Sequence, residues 1–581
     1  MLKLLSQKSL IVLLTLFMLH CSPMEKGPTP RDIAVTPPGR PETDGNSSPA
    51  YYHYLAARLK GHAGDLDGTV DELKKAIACD PESAFLHVEL AQAYIKKGLA
   101  NEAIAECEKA LSIDGNFVPA HMALGGLYST LKKTALAIKH YREVLRLDPE
   151  NQQAYLYLGS QYRESQQYER AIGILKELID KFPNNVMGLY YLGRIHAEAK
   201  NFEQSIRYYE QLLSVKPDFI SGLIDLGTVY EIKKNPEKAI EIYQEVLKID
   251  PENKTARERL GQLYIQKNQW EDALQQYQEI RKFDSTDLDV RVKMGLIYFE
   301  QGKYDDAIME FSYVLASSPK DDKVRFYLAT SYLKRENHDQ AVAEYLKIPP
   351  ESKLYVDSRE NAALILEDLK RSGEAIELVE EAIRAKPKEM DLFLLLSSLH
   401  EREENLEKAL EVLQDAQQLD GKNVDLLFRM GIVSDKLGKF EEMVHLMRDV
   451  IRLNPEHADA LNYLGYTFAD KGVHLDESLE LIQKALALKP DSGYITDSLG
   501  WVYYKKGEYE KAVKQLEKAI QLTPDDPLIT EHLGDGYVKV NLVERALELY
   551  ERALQLKPKE DQRSRLEKKI EEIKRRKGEA R

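Results

Sequence analysis

Small and apolar residues return along this chain in a fixed order. The phrase LGQLY at Leu260–Tyr264 has counterparts in LGGLY from Leu124, LGSQY from Leu158, LGTVY from Leu226, MGLIY from Met294, LGWVY from Leu499 and LGDGY from Leu533. The spacing is 34 residues or a multiple of it as far as Leu464, and one extra residue then shifts the phase before Leu499. Self-similarity at such a period marks a repeat architecture, in which each unit buries its apolar face against its neighbours.

Each unit carries two helical patterns. Between Gln152 and Phe182, the residues Leu158, Gly159 and Tyr162 share one stripe, and Ala171, Leu175 and Leu178 form a second after the turn QQY. Pro183 then ends the second helix, because proline cannot continue one. The small position of the first helix is Gly, Ala or Ser in all fifteen units, from Ala57 to Gly534, and the opposing position is Ala in eleven of them, such as Ala103, Ala239 and Ala512. Glycine inside a helix costs up to about 1 kcal/mol relative to alanine, so its recurrence implies a steric demand where two antiparallel helices meet.

This pattern resembles the tetratricopeptide repeat, or TPR, over residues 50 to about 560. The resemblance implies an all-α, helix-turn-helix solenoid: a right-handed superhelix of about fifteen repeats with a C-terminal capping helix. Twelve units run without insertion from Ala50 to His457, a 35-residue unit follows, and two more reach Leu556 and Pro558. Gly115, Ser285 and Gly421 replace the closing proline, Met443 takes an alanine position, and Pro349-Pro350 cuts the ninth unit short. Loosening is expected near 349–356 and near 443, with a bend between an N-terminal array over 50–355 and a C-terminal array over 356–560. In 561–581, Leu566, Ile570 and Ile573 line one stripe of an otherwise charged helix, which suits a cap over the last apolar face.

The N-terminus follows a different pattern. Lys3 and Lys8 precede an apolar run from Leu10 to Leu19, the layout of an export signal and too short to span a bilayer comfortably. Cys21 after FMLH resembles the lipobox of bacterial lipoproteins, although His20 stands where that motif has Gly, Ala or Ser. The resemblance makes 1–21 a signal peptide, Cys21 the lipidated residue, and Ser22 compatible with sorting to an outer membrane. An ordinary secreted or periplasmic protein, or an uncleaved anchor, is the alternative. Residues 22–49 hold seven prolines without hydrophobic periodicity and read as a disordered tether.

Composition removes some functions. A net charge of -15 with both signs interspersed argues against a nucleic-acid binder, which would show a basic face. No HExxH, CxxC, phosphate-cradling glycine loop or nucleophile elbow occurs, so neither an enzyme nor a cofactor is expected. His87 and His121 share a repeat position, but Tyr155 follows them, so no metal site is expected. An exported chain permits a disulfide between Cys79 and Cys107, while their apolar helix positions suit buried thiols instead.

Binding remains. In the TPR family, the groove is lined by first-helix positions around the small residue, here Arg163, Tyr190, Arg194 and Thr228, then Asn462, Tyr466, Asp497, Trp501 and Tyr504. The expected partners are proteins or peptides in this concave groove, with the membrane engaged through the lipid anchor. No unit carries the lysine and asparagine pair of the chaperone-tail clamp. Residues equivalent to Trp501 include Arg58, Gln92, Ser160, Arg194, Thr228, Gln262 and Asp535, a set too polar for core, so Trp501 is expected to be exposed or half exposed; the alternative is that the extra residue shifts a helix and Trp501 fills the gap. The stretch from Leu461 to Ala512 resembles the late units of bacterial TPR lipoproteins, some of which tether periplasmic carboxyl-terminal-processing proteases and bring cell-wall hydrolases to them. That resemblance implies an outer-membrane adaptor facing the periplasm. An assembly factor for a pilus, secretion or polysaccharide-export machine is the alternative.

Overall fold

The computed structural model describes residues 48 to 579, and Cys21, the apolar run before it and residues 22–47 lie outside the described residues. Among the described residues there are 31 helices and no strand. They form fifteen antiparallel pairs, each a leading and a trailing helix, followed by a single final helix, Glu560–Glu579. The chain divides into two compact units, one ending at Gly302 and the other starting at Lys303.

The fourth pair shows why these residues fold as they do. Asn151 caps the leading helix Gln152–Glu164 by accepting from the Ala154 backbone N–H at 3.1 Å. Gln166 then turns left-handed at φ 59°, and the Gln167 N–H reaches back to the Tyr162 carbonyl at 2.8 Å. The trailing helix Tyr168–Lys181 buries Ala171, Ile172, Leu175 and Leu178. Equivalent left-handed turn residues recur through the chain: Gly98, Gly302 and Gly438 where glycine is present, Lys132, Lys234 and Lys370 where it is not.

The steric demand at the small position has a specific source. A Cβ on Gly261 would lie 2.6 Å from Tyr277 Cζ, on Gly227 2.6 Å from Tyr243 Cε1, and on Gly159 2.9 Å from Leu175. The trailing-helix residue thus lies flat across the glycine, a large ring in several units, and the neighbouring alanine completes the seam. Where serine replaces that alanine, it bonds the glycine carbonyl: Ser205 Oγ donates to Gly193 O at 2.7 Å, and Ser478 Oγ to Gly465 O at 2.6 Å.

The irregular units are tightly joined. Met443 is fully buried. Near Pro349-Pro350 the trailing helix shortens to nine residues, His338–Leu346, and the buried Arg359 guanidinium donates to the carbonyls of Tyr345, Leu346 and Ile348 at 2.8, 3.0 and 3.0 Å. It also lies 4.3 Å from the centre of the Tyr355 ring. The loosening expected there is replaced by an arginine cap. Of the two cysteines expected to be buried, Cys107 is; Cys79, in the last turn of its helix, is exposed, and both are free.

Candidate functional site

The predicted groove residues fall into two clusters, one in each compact unit. In the first, Arg163 Nη1 donates to Glu198 at 3.2 Å, and Arg194, although equivalent to exposed Arg58, is only 7% exposed. Arg194 lies 5.6 Å from the centre of the Tyr190 ring and 3.8 Å from Asp225, and Tyr209 donates its hydroxyl to Asp225 at 3.2 Å. Burial raises the Asp225 carboxyl above its ordinary range, with Arg194 opposing that shift. Burial likewise raises Tyr190, with the Asp225 charge adding to it. Thr228 Oγ1 donates to the Ile224 carbonyl at 3.0 Å within its own helix. These groups are largely committed to one another.

The second cluster contains Asn462, Tyr466, Asp497, Trp501 and Tyr504, and its centre is a residue that the sequence pattern did not single out. His532, on the leading helix Pro527–Lys539, is buried, and its Nδ1–H points between the two Asp497 carboxylate oxygens, each at 3.0 Å. The Trp501 ring stacks on His532 at 4.0 Å with 14° between planes, and on Tyr504 at 4.8 Å with 3°. Lys505 Nζ lies 5.1 Å from the indole centre, and Tyr466 approaches His532 at 6.4 Å. Burial alone would lower His532, but the charge and hydrogen bond of Asp497, with Asp535 and Glu531 nearby, hold it above its ordinary value.

Trp501 is therefore not half exposed. It is 8% exposed, held between a histidine and a tyrosine. The alternative holds in part: Trp501 is core, packed with Leu461, Ile482, Leu499 and Val502, but the extra residue lies in the turn Gly472–His474, where Gly472 and His474 both take left-handed conformations, and does not shift the helix. The next helices keep their register, so Trp501 occupies the same helix position as Arg194 and is buried there by its neighbours. Its Nε1 and the Asn462 Oδ1 are both buried without a hydrogen-bond partner. Tyr494, at the start of the same leading helix, is 60% exposed.

The final helix borders this cluster. Lys569 Nζ lies 2.8 Å from Glu531 and 2.6 Å from Asp535, and Gln562 donates to Glu531 at 3.0 Å. A signal for the overlooked residues existed: Asp225 and His532 both directly precede the recurrent leucine, at Leu226 and Leu533, and each faces a groove residue of the preceding unit. Among the described residues no group of three or more His, Cys, Asp or Glu is arranged to hold a metal ion. His87 pairs with Glu106 at 2.6 Å, and His121 with His140 at 3.0 Å.

Family models described as tetratricopeptide repeat match residues 86–117, 130–220, 232–293, 298–354, 361–424, 428–493 and 529–564, and one described as TPR repeat matches 500–541. The chain belongs to the tetratricopeptide-repeat family. A TPR repeat-containing protein of Pseudomonas aeruginosa is 49% identical over 53 residues, which is 9% of either chain. Among solved structures, yeast Tom70 is 16% identical, with 80% of this chain and 96% of that one covered and a TM-score of 0.35. The C-terminal part of a TPR repeat-containing protein from Cytophaga hutchinsonii is 15% identical, with 42% and 99% covered and a TM-score of 0.38. TPR repeats of this kind suggest a protein-binding scaffold.

Proposed function

We propose that this TPR chain is a non-catalytic, membrane-tethered scaffold that captures protein partners on the leading-helix face of its late units. The observation that carries the reading is Tyr494, which is 60% exposed at the start of the leading helix Gly493–Lys505, while Trp501 two turns along that helix is buried against His532 and Tyr504. An exposed aromatic side chain on a leading helix is an anchor of the kind that dominates binding energy.

In this reading Cys21 carries the lipid, residues 22–47 form the tether, and the scaffold faces the periplasm from the outer membrane. Its partners are a periplasmic protease and that protease's cell-wall hydrolase substrates. The mechanism is raised effective concentration, since both partners meet on one scaffold rather than in free solution. Labelled palmitate should enter the wild-type chain and not Cys21→Ala, and the wild-type chain from crosslinked membranes should bring down a protease together with a hydrolase. Equal labelling of both chains contradicts the tether. Recovery of pilus, secretion or export components in place of the protease contradicts the adaptor and favours an assembly role.

A further inference from the structure

A polar contact recurs inside the helix pairs. A side chain near the start of the leading helix faces the residue 19 positions on, in the trailing helix: His53 Nδ1 lies 2.7 Å from Glu72, His87 Nδ1 2.6 Å from Glu106, and Arg325 Nη1 2.7 Å from Glu344. The third pair breaks this pattern. There His121 Nδ1 lies 3.0 Å from Nδ1 of His140, so a base faces a base where these sister pairs place a carboxylate.

The same leading-helix position also donates to the carbonyl six residues earlier, in the turn that joins its pair to the one before: Arg325 to Pro319 at 2.6 Å, Arg257 to Pro251 at 2.9 Å and Tyr155 to Pro149 at 3.3 Å. His121 Nε2 lies 3.2 Å from the Gly115 carbonyl in the same relation, so Nε2 carries the hydrogen, Nδ1 is a bare acceptor, and His140 Nδ1–H donates to it. His121 thus ties the turn behind it to the trailing helix ahead. A proton added to His121 sets two N–H groups against each other, and a proton added to His140 charges a half-buried ring.

The surroundings offer little to hold that charge. Burial, the facing His121 and Lys139 push His140 down to about 4, with Glu143 opposing them. Glu143 is itself engaged by Arg146 at 2.7 Å, and Arg146 also donates to Asn116 beside Gly115 at 3.2 Å. In that turn Asp114 accepts from the Asn116 N–H at 2.9 Å. Tyr128 of the leading helix stacks on His140 at 5.6 Å, and Glu108 of the preceding trailing helix acts on that tyrosine. From the following leading helix, Tyr157 and Glu164 act on Tyr141, the next residue along. The first two pairs differ. His53, Lys75 and Lys60 hold Glu72 down at about 2, and Glu106, raised by burial but lowered more by Lys109 and His87, ends below its ordinary value, so a charged carboxylate faces the ring in each.

We infer that His121 and His140 form an acid-sensitive latch at the junction of the second and third helix pairs. In acid both rings take protons, the contact parts, and the turn at Gly115 is freed from the trailing helix Thr134–Leu147, while the His53–Glu72 and His87–Glu106 contacts stay closed. The sign follows from linkage. His140 binds a proton more weakly in the folded chain than in the unfolded one, so its contribution to stability is complete above the unfolded value of about 6.5 and is lost as pH falls towards about 4.

Hydrogen exchange of the full chain, corrected for intrinsic rates, tests this. Between about pH 7.5 and about pH 5, protection of residues 115–140 should fall about tenfold, with no comparable fall at residues 83–106. His140→Glu installs the carboxylate of the second pair, and His140→Gln removes the titrating ring. Both variants should keep the same protection at the two pH values, with helical circular dichroism at neutral pH matching the wild-type chain. Undiminished protection of 115–140 in the wild-type chain overturns the proposal, as does a fall that both variants share or one spread evenly over the fifteen helix pairs. The regional comparison within the wild-type chain decides the question even where a variant folds poorly.

Discussion

His532 and Asp497 are 35 residues apart in sequence, on adjacent leading helices, and form a buried ion pair with both carboxylate oxygens 3.0 Å from the ring nitrogen. The pair makes the late units sensitive to pH. The folded-state pKa of His532 lies above its ordinary value, so the stabilisation it contributes is complete below the unfolded pKa of about 6.5 and is lost as pH rises through the folded value. Denaturant midpoints measured between about pH 6 and pH 9 should fall with rising pH in the wild-type chain, and the fall should be shallower in Asp497→Asn. Parallel profiles for the two chains contradict the charged pair.

Trp501 and Tyr494 should separate packing from recognition. Because Trp501 is buried against His532 and Tyr504, Trp501→Ala should destabilise its unit by about 3–5 kcal/mol. Tyr494→Ala, at a 60% exposed site, should leave the melting temperature within a degree or so and weaken partner capture by about 1–2 kcal/mol. Thermal melts and pull-down titrations of the two variants check this, and the reverse assignment of effects contradicts it.

The glycine seam should not tolerate bulk. Gly261→Leu drives a side chain into the Tyr277 ring, which a Cβ alone would approach at 2.6 Å, and should cost about 1–3 kcal/mol in urea unfolding. Trimming the ring should recover part of that loss, so Gly261→Ala combined with Tyr277→Leu should be more stable than the sum of the single changes implies. Simple additivity would mean that the two positions do not meet.

The left-handed turns allow a stabilising change. Lys234 holds φ 57° without the freedom of glycine, whereas Gly438 holds φ 75° with open space where a Cβ would stand, nothing lying within 4 Å of it. Lys234→Gly should gain about 0.5 kcal/mol, and Gly438→Ala should lose about 1 kcal/mol, from backbone conformation alone. Differential scanning calorimetry of the two variants should show shifts of opposite sign.

Arg359 holds the shortened ninth unit together. Arg359→Met keeps the apolar stem but leaves the carbonyls of Tyr345, Leu346 and Ile348 without their donor, and should destabilise by about 2–3 kcal/mol. Hydrogen exchange should locate the loss in residues 338–360. Unchanged protection there would show that the arginine is dispensable.

The repeat, its helix pairs and the final capping helix were legible because a 34-residue period and a glycine seam leave a strong signal in the sequence. Which residue presses on the seam was less visible. Tyr277 and Leu175 fill the same place with different side chains, and only the packed structure shows both lying over a glycine. The burial of the groove positions was hidden as well. Arg194 and Trp501 occupy the position that Arg58 leaves exposed, and partners on the next leading helix, Asp225 and His532, cover them. Such pairings depend on contacts between units, which a pattern counted within one unit does not contain. Arg359 was hidden for a related reason: its three carbonyl acceptors exist only because Pro349 ends the preceding helix early.

Protein binding by the late leading helices can be read from a photoreactive residue placed at position 494 of the full chain in living cells. A discrete adduct with a periplasmic protease or a cell-wall hydrolase is expected at this exposed position. No protein adduct at this position, or adducts only with cytosolic proteins, would contradict it.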